Sequence, residues 1–434
     1  MSAASAYFGD LVPLSTDVSS PEIDLAAVRE EYAALAAEGL RLDLTRGKPS
    51  PQQLDLANGL LSLPGGDDFK AADGTDCRNY GGLDGLPELR EIFAPLLQVP
   101  AAQLLALGNA SLTLMHDVIA HALLSKVPGA ERRWVDEPEV LFLCPVPGYD
   151  RHFALCERFG IGMVPVPLTG EGPDLDAVEA LVAADARIKG MWCVPKYSNP
   201  SGESYGDETV RRLAAMPTAA PDFRLFWDNA YAVHHLTDKP VELLSILDAC
   251  AEAGNSDRAF VFGSTSKISH AGAGVAFFGS SAANTAWLTG LLAKQTIGPD
   301  KVNQLRHVRF FGDAEGVLAH MELHRELLEP RFAAVYEVLD RELGALGIAS
   351  WTRPEGGYFV SLEVPDGCAA EVVRLAKEVG VALTPAGAAF PEGNDPRDHH
   401  IRLAPSYPTV DEVHRAMRAV AVCVKLAAAE AAAK

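Results

Sequence analysis

The sequence predicts an α/β protein with a doubly wound, mostly parallel sheet and a smaller α+β domain. Between residues 140 and 280, short apolar runs rich in β-branched and aromatic residues alternate with helical patterns, which is typical of strands joined by crossover helices. At 434 residues and 48% hydrophobic, the chain can bury one large core and a smaller one. We expect a large domain over residues 60–325 and a small domain over residues 1–59 and 326–434.

Local patterns predict the elements of the large domain. Helix-starting acids, followed by apolar residues three or four apart, predict helices over residues 174–184 and 207–215. The apolar runs predict strands over residues 140–144, 163–168, 191–194, 224–228, 259–262 and 275–278.

The small domain is predicted from both ends of the chain. An Ala-rich segment over residues 24–38 predicts a helix. A long helical pattern runs over residues 312–344 with one interruption at Pro330. A strand, a helix, a second strand and a final helix are predicted over residues 356–363, 371–379, 401–403 and 409–433.

Composition argues against several classes of function. Asp and Glu outnumber Lys and Arg by 58 to 37, and the net charge of −21 opposes binding to nucleic acid or anionic lipid. The seven cysteines lack C-x-x-C spacing, which favours reduced core residues and a cytoplasmic protein. Residues 1–12 lack the pattern of an export signal, and no apolar stretch is long enough to span a membrane. The histidines show no metal-ligand spacing, so no metal site is expected.

Chemically useful side chains stand directly after two predicted strands. Ligands of open parallel sheets bind beyond the carboxyl ends of the strands. Asp228 and Tyr231 follow one apolar run, and Lys267 follows the next. Pyridoxal phosphate needs a lysine for its imine and an acid that keeps its ring nitrogen protonated. We therefore predict that Lys267 and Asp228 face one crevice that holds this cofactor.

Donors for the cofactor's phosphate are also present. Ala110 and Ser111 lie at the start of a predicted helix, where backbone amides and the positive end of the helix dipole favour anions. Ser264 and Ser266 stand just before Lys267 and could add hydroxyl donors.

The cofactor ring has its own predicted partners. Tyr149 follows the strand predicted over residues 140–144 and is placed to stack on the ring. Asn199 and Tyr231 could both hydrogen-bond the ring's phenolic oxygen.

Taken singly, these motifs have structural explanations. Asp228 could be a helix N-cap, Arg402 the polar face of an edge strand, and residues 199–202 a simple turn. We prefer the functional interpretation because the sites agree with one another. His270, three residues beyond Lys267, is interpreted as packing.

The chain resembles fold-type I aminotransferases of the aspartate aminotransferase superfamily from residue 47 to residue 402. The resemblance implies their fold, pyridoxal 5'-phosphate as cofactor, and ping-pong transfer of an amino group between an amino acid and a 2-oxo acid. Six segments carry it in the family's order: residues 80–90, 199–202, 228–231, 264–267, 356–359 and 401–403.

The resemblance also implies residue roles. Lys267 would form the internal aldimine and carry a proton between the substrate's α-carbon and the cofactor's C4′ carbon. Arg402 would bind the substrate's α-carboxylate, helped by Asn199 and the backbone at Gly47. Tyr80 would reach the phosphate in the neighbouring subunit, which implies a homodimer with shared active sites.

One position departs from the family pattern. Val275 stands where an arginine usually pairs with the phosphate, and Lys196 is our candidate for the replacement. With residues 46–49, 195–198 and 309–311, this departure makes the chain similar to a divergent bacterial aspartate aminotransferase subgroup. Relatives of that subgroup resemble the aminotransferase-like domain of MocR-type regulators.

The expected substrates are aspartate and 2-oxoglutarate. A dicarboxylic substrate needs a second cation, and Lys48, Arg46 and Arg309 lie in segments near the predicted cleft, although surface solvation explains them equally well. One alternative is a β-lyase or decarboxylase, because the cofactor stabilises the same carbanion. Another is a non-catalytic, cofactor-binding regulator; no basic helix-turn-helix segment precedes residue 45, which argues against it.

Overall fold

The computed structural model describes residues 23–433, which form twelve strands and thirteen α-helices. The strands are β1 (Leu42–Asp43), β2 (Leu104–Ala106), β3 (Leu141–Val146), β4 (Gly162–Pro167), β5 (Ile188–Cys193), β6 (Arg224–Asp228), β7 (Ala259–Ser264), β8 (Ala276–Gly279), β9 (Ser350–Trp351), β10 (Val360–Glu363), β11 (Val381–Ala382) and β12 (His400–Leu403). The helices are α1 (Leu25–Ala37), α2 (Pro51–Asp55), α3 (Pro87–Leu97), α4 (Ser111–Leu124), α5 (Asp150–Phe159), α6 (Leu175–Ala184), α7 (Asp207–Ala215), α8 (Ile246–Glu252), α9 (Ala282–Gln295), α10 (Lys301–Phe311), α11 (Ala314–Leu343), α12 (Ala369–Glu378) and α13 (Val410–Ala432).

The predicted α/β fold is confirmed. Seven strands form the central sheet in the order β2-β8-β7-β6-β5-β3-β4. Strands β3 to β7 run parallel to their neighbours among themselves, whereas β8 is antiparallel to both β7 and β2. The run predicted over residues 275–278 is therefore a strand, but it is not part of the parallel set. Strand β2 was not predicted, because three buried residues are too few to show a period.

Two smaller sheets form from the ends of the chain. Strands β12, β10 and β9 make an antiparallel sheet, and β1 pairs with β11 in parallel. The interruption expected at Pro330 was wrong, since α11 continues through it. Buried Leu328 and Phe332 flank Pro330, so packing holds the helix where one backbone hydrogen bond is lost.

The buried apolar side chains form three clusters, and the division into domains remains a prediction. One cluster joins Val28 and Leu35 of α1 to Val338 of α11 and Val420 of α13. Other clusters pack against the two faces of the central sheet. Residues 1–22 lie outside the described residues, and so does the segment 1–12 for which no export signal is predicted. No helix within residues 23–433 is long and apolar enough to cross a bilayer.

A buried ion pair fixes the amino end of β6. Asp222 accepts hydrogen bonds from Lys189 Nζ at 2.9 Å and Trp134 Nε1 at 2.8 Å. We expect Asp222→Asn to lower the free energy of unfolding by about 1.5–3 kcal/mol, because the charge-assisted bond is lost in a buried setting. Urea denaturation measures the change. Unaltered stability would contradict this role for Asp222.

Candidate active site

A cavity of about 510 Å³ opens beyond the carboxyl ends of the parallel strands. The central sheet contributes the residues that follow β3, β5, β6 and β7, and the N- and C-terminal parts of the chain close the other side. The predicted site residues that line the cavity are Gly47, Lys48, Ser111, Tyr149, Asn199, Asp228, Tyr231, Lys267 and Arg402, and Arg46 lines it as well. The structure therefore brings most of the predicted residues together.

Lys267 projects into the cavity from a tight turn after β7. The amides of Ile268 and Ser269 both donate to the Thr265 carbonyl at 2.9 Å, which fixes the turn. The Lys267 amine lies 5.0 Å from the centroid of the Tyr231 ring. Burial lowers the pKa of Lys267, and the charge of Asp228 only partly opposes that effect. A lowered pKa raises the fraction of neutral amine, which is the nucleophilic form.

The Asp228 carboxyl group lies at the end of β6 with one oxygen satisfied and one free. Its Oδ2 atom is 3.1 Å from His152 Nε2. Its Oδ1 atom is buried without a hydrogen-bond partner among the described residues. An unsatisfied buried carboxylate oxygen is costly, so a ligand N–H donor in the cavity would stabilise it. This atom fits a protonated pyridine nitrogen.

His152 was not predicted as a site residue. Its ring stacks on Trp192 with centroids 4.2 Å apart and planes 7° apart, and it lies edge-on to Tyr149 at 4.9 Å. This packing holds the imidazole against Asp228 and fixes the carboxylate's orientation. The only signal in the sequence is that His152 lies one helical turn after Tyr149.

Two tyrosines beside the cavity remain protonated. Burial, followed by the charge of Asp228, raises the pKa of Tyr149 to about 12. Burial also raises the pKa of Tyr231 well above its usual value, and the charges of Tyr149 and Asp228 add to this effect. Both hydroxyl groups are therefore neutral hydrogen-bond donors at physiological pH.

Arg402 reaches the cavity from β12, where it pairs with Ser361 of β10. Its guanidinium donates to Asp150 Oδ1 at 3.1 Å, to Asn199 Oδ1 at 3.3 Å and to Thr384 Oγ1 at 3.3 Å. Asp150 and Thr384 also line the cavity and were missed in the sequence. Their separations from Arg402 along the chain give no local signal.

Gly47 permits a close approach between the N-terminal segment and Phe359, which also lines the cavity. A side chain at this position would meet Phe359 Cζ at 2.5 Å. The Phe359 ring lies 5.0 Å from the Arg402 guanidinium. Glycine is therefore required where the backbone of residue 47 packs beside the arginine.

Helix α4 presents an uncapped N-terminus beside the cavity. Ala110 precedes it and makes no side-chain capping bond, while Ser111 lines the cavity. The first amides of α4 are therefore available to an anion. Ser264 and Ser266 bond each other at 3.1 Å and do not line the cavity.

The position of the missing arginine is filled by an apolar residue. Val275 is buried, and its amide donates to Thr265 Oγ1 at 2.9 Å. Lys196 does not line the cavity; its amine donates to the Ala232 carbonyl at 3.0 Å, and burial lowers its pKa to about 8. Nothing in this arrangement places the Lys196 amine at a phosphate.

Three further residues considered in the sequence lie outside the cavity. Tyr80 is 81% exposed. Arg309 makes two hydrogen bonds to Asp68, at 2.7 and 2.8 Å. Its guanidinium, which was a candidate for binding a distal carboxylate, is therefore already paired. His270 Nε2 lies 3.2 Å from the Leu54 carbonyl. Within residues 23–433, no cluster of His, Cys, Asp and Glu side chains could hold a metal ion.

A mostly parallel seven-stranded sheet, with a lysine and a partly unsatisfied aspartate at adjacent strand ends, defines the class of fold-type I pyridoxal-phosphate enzymes. The family model of aspartate aminotransferases matches residues 16–434. The chain belongs to that family.

Known relatives agree with this assignment. The chain is 58% identical over 414 residues to a putative aminotransferase of Mycolicibacterium smegmatis. The aligned residues cover 94% of this chain and 97% of that protein. It is 53% identical over 403 residues to an aspartate aminotransferase of Corynebacterium glutamicum, with 93% of each protein covered.

Solved structures give the same result. An aspartate transaminase from Corynebacterium glutamicum superposes with a TM-score of 0.92 at 52% identity, covering 94% of this chain and 96% of that one. An alpha-aminoadipate aminotransferase from Thermus thermophilus, in complex with N-(5'-phosphopyridoxyl)-L-leucine, shares the fold with a TM-score of 0.74 at 22% identity, covering 92% and 95%. The protein is a pyridoxal-phosphate-dependent aminotransferase.

Proposed function

We propose that this aminotransferase prefers dicarboxylic substrates, with aspartate as donor and 2-oxoglutarate as acceptor. The carrying observation is the excess of cations around the cavity. Five basic and two acidic side chains line it, although the whole chain has a net charge of −21. The basic residues are Arg46, Lys48, Arg151, Lys267 and Arg402, and the acidic ones are Asp150 and Asp228.

The cations outnumber the anionic groups of a monocarboxylic substrate. Lys267 is reserved for the cofactor and Arg402 for the α-carboxylate, which leaves Arg46, Lys48 and Arg151. Lys48 lies 3.9 Å from Asp43 Oδ2. Arg46 and Arg151 are exposed at the cavity and have no ion-pair partner within residues 23–433. A distal carboxylate would supply one, and the relative named aspartate aminotransferase supports this choice.

The proposed roles of the cavity residues follow from their positions. When bound, pyridoxal phosphate supplies an electron sink for the substrate's α-carbon. Lys267, with its lowered pKa, would anchor the cofactor and then carry the proton between the α-carbon and C4′. Asp228 would accept a hydrogen bond from the ring nitrogen, and Tyr231 and Asn199 would bond the phenolic oxygen. Arg402 would bind the α-carboxylate with Asn199 and the Gly47 backbone.

We also propose a cytoplasmic homodimer with shared sites. Within one subunit the phosphate would be held by the amides at Ala110 and Ser111. The hydroxyls of Ser264 and Ser266, which bond each other at 3.1 Å, would reorient to reach it. The exposed side chain of Tyr80 would complete the phosphate site of the neighbouring subunit. All seven cysteines are free and buried, which suits a reducing compartment. Sedimentation equilibrium tests the dimer, and a monomer with full activity would contradict it.

Steady-state kinetics over a panel of amino donors test the substrate class. With 2-oxoglutarate as acceptor, we expect kcat/KM for aspartate to exceed that for alanine, leucine and phenylalanine by about tenfold or more, because a charged hydrogen bond is gained. A clear preference for an aliphatic or aromatic donor would contradict the proposal.

Arg151 is the stronger candidate for the distal carboxylate, because it lies in the first turn of α5, whereas Arg46 lies in a loop. We expect Arg151→Met to raise KM for aspartate by about tenfold or more, with KM for alanine unchanged. The matched control is Arg158→Met, in the last turn of the same helix and outside the cavity. An equal change in both KM values would show that Arg151 does not contact the distal carboxylate.

A further inference from the structure

In the cavity, Arg402 already forms an ion pair with a carboxylate of the protein itself. Asp150 Oδ1 lies 3.1 Å from Arg402 Nη1. The Arg402 side chain is 8% exposed, whereas that of Asp150 is 31% exposed. The pair therefore joins a buried arginine to an acid that borders the open part of the cavity.

The hydrogen-bond donors of Arg402 are almost all in use. The Nη1 group faces Asp150 and Asn199, at 3.1 and 3.3 Å. The Nη2 group faces the Thr384 hydroxyl at 3.3 Å and the Thr45 carbonyl at 3.5 Å. A guanidinium has two N–H groups at each Nη and one at Nε. Only Nε, which is buried without a partner among the described residues, is left.

A substrate carboxylate that binds two donors must therefore displace one of these partners. Asn199 and Thr384 are buried, and the Thr45 acceptor belongs to the backbone, so none of the three can turn away easily. Asp150 is a side chain with access to solvent, and it carries the same charge as the incoming carboxylate. It is the partner most easily displaced and the one that most strongly opposes the substrate.

We propose that Asp150 acts as an internal competitor for the α-carboxylate site: it neutralises Arg402 in the free enzyme and leaves when an amino acid or 2-oxo acid binds. The proposal rests on the proposed role of Arg402 in binding the α-carboxylate. Pairing removes the cost of an uncompensated buried charge. Asn199, Thr384 and Thr45 keep the guanidinium in place after Asp150 has left. The consequence is weaker binding of every substrate, whatever its side chain.

The test uses Asp150→Asn in the holoenzyme, with Asp150→Ala as a second variant. The ligands are 2-methylaspartate and 2-methylalanine, which lack the α-proton and so stop the reaction after binding. Dissociation constants are measured by titrating the absorbance of the bound cofactor. We expect both constants to fall by about 3- to 10-fold in both variants, because a partly exposed ion pair no longer competes. KM for aspartate and for alanine should fall in parallel, with little change in kcat.

Asp185→Asn is the matched control. Asp185 pairs with Arg187 at 2.6 Å and is 27% exposed, close to the exposure of Asp150, but it precedes β5 at the opposite end of the sheet. Its substitution should leave both constants unchanged. Thermal denaturation shows that each variant is folded.

Unchanged or weaker binding in folded Asp150 variants would overturn the proposal, since it would mean that Asp150 orients Arg402 rather than competing for it. Tighter binding of 2-methylaspartate alone would also overturn it, because Asp150 would then oppose the distal carboxylate. If the wild-type enzyme prefers monocarboxylic donors, the proposed substrate class fails, yet the effect on 2-methylalanine still tests Asp150.

Discussion

Replacing Lys267 with alanine is expected to lower kcat for transamination by about 10⁴-fold or more. The substitution removes both the amine that anchors the cofactor and the base that moves the proton, and each of these functions contributes a large factor to the rate. The lowered pKa of the Lys267 amine increases the fraction of neutral amine, which favours both tasks. Single-turnover assays with aspartate measure the loss without interference from cofactor release.

Borohydride reduction followed by peptide mapping separates this role from a general structural effect. The label should appear on Lys267 in the wild-type protein and disappear in Lys267→Ala. Lys196 offers a control, because it also follows a strand end but donates its hydrogen bond to the Ala232 carbonyl. Lys196→Met should keep the label on Lys267. A label on any other lysine would remove the basis for the site.

The sequence predicted those parts of the fold and site that depend on short-range patterns. Strand β6 and helix α7 have the bounds that their apolar spacing predicted. Lys267 and Asp228 were found because strand ends in a parallel sheet converge on one edge. That these two residues lie close together can be predicted without knowing how the surrounding side chains pack.

The features that the sequence did not reveal depend on contacts between distant segments. Asp150 meets Arg402 across 252 residues of chain, and Thr384 meets it across 18. In the sequence, His152 cannot be told apart from histidines that only pack in the core. Its distance to Asp228 in the structure is what identifies it as part of the site. Pro330 indicated a break in the helix because the pattern gives no information about the buried neighbours that hold α11 together.

The second large effect is expected from Asp228→Asn, which should lower kcat by about 10²–10³-fold, the usual loss when one charged partner of a reacting group is removed. An amide cannot hold a proton on the ring nitrogen as a carboxylate does, so electrons from the α-carbon would be stabilised less. The variant should still fold, because Asp228 Oδ1 has no hydrogen-bond partner within the described residues and the substitution removes a buried charge. The absorbance of the bound cofactor shows whether kcat falls while the cofactor is retained.

Asp222→Asn is expected to have the opposite effects on stability and kcat from those of Asp228→Asn. Asp222 lies two residues before β6 and Asp228 is its last residue. Both are buried, but Asp222 is fully engaged by Lys189 and Trp134. Its substitution should reduce stability and leave kcat nearly unchanged, whereas Asp228→Asn should reduce kcat and leave stability nearly unchanged. Parallel losses of stability and kcat in both variants would indicate that the carboxylate at residue 228 supports the fold rather than the chemistry.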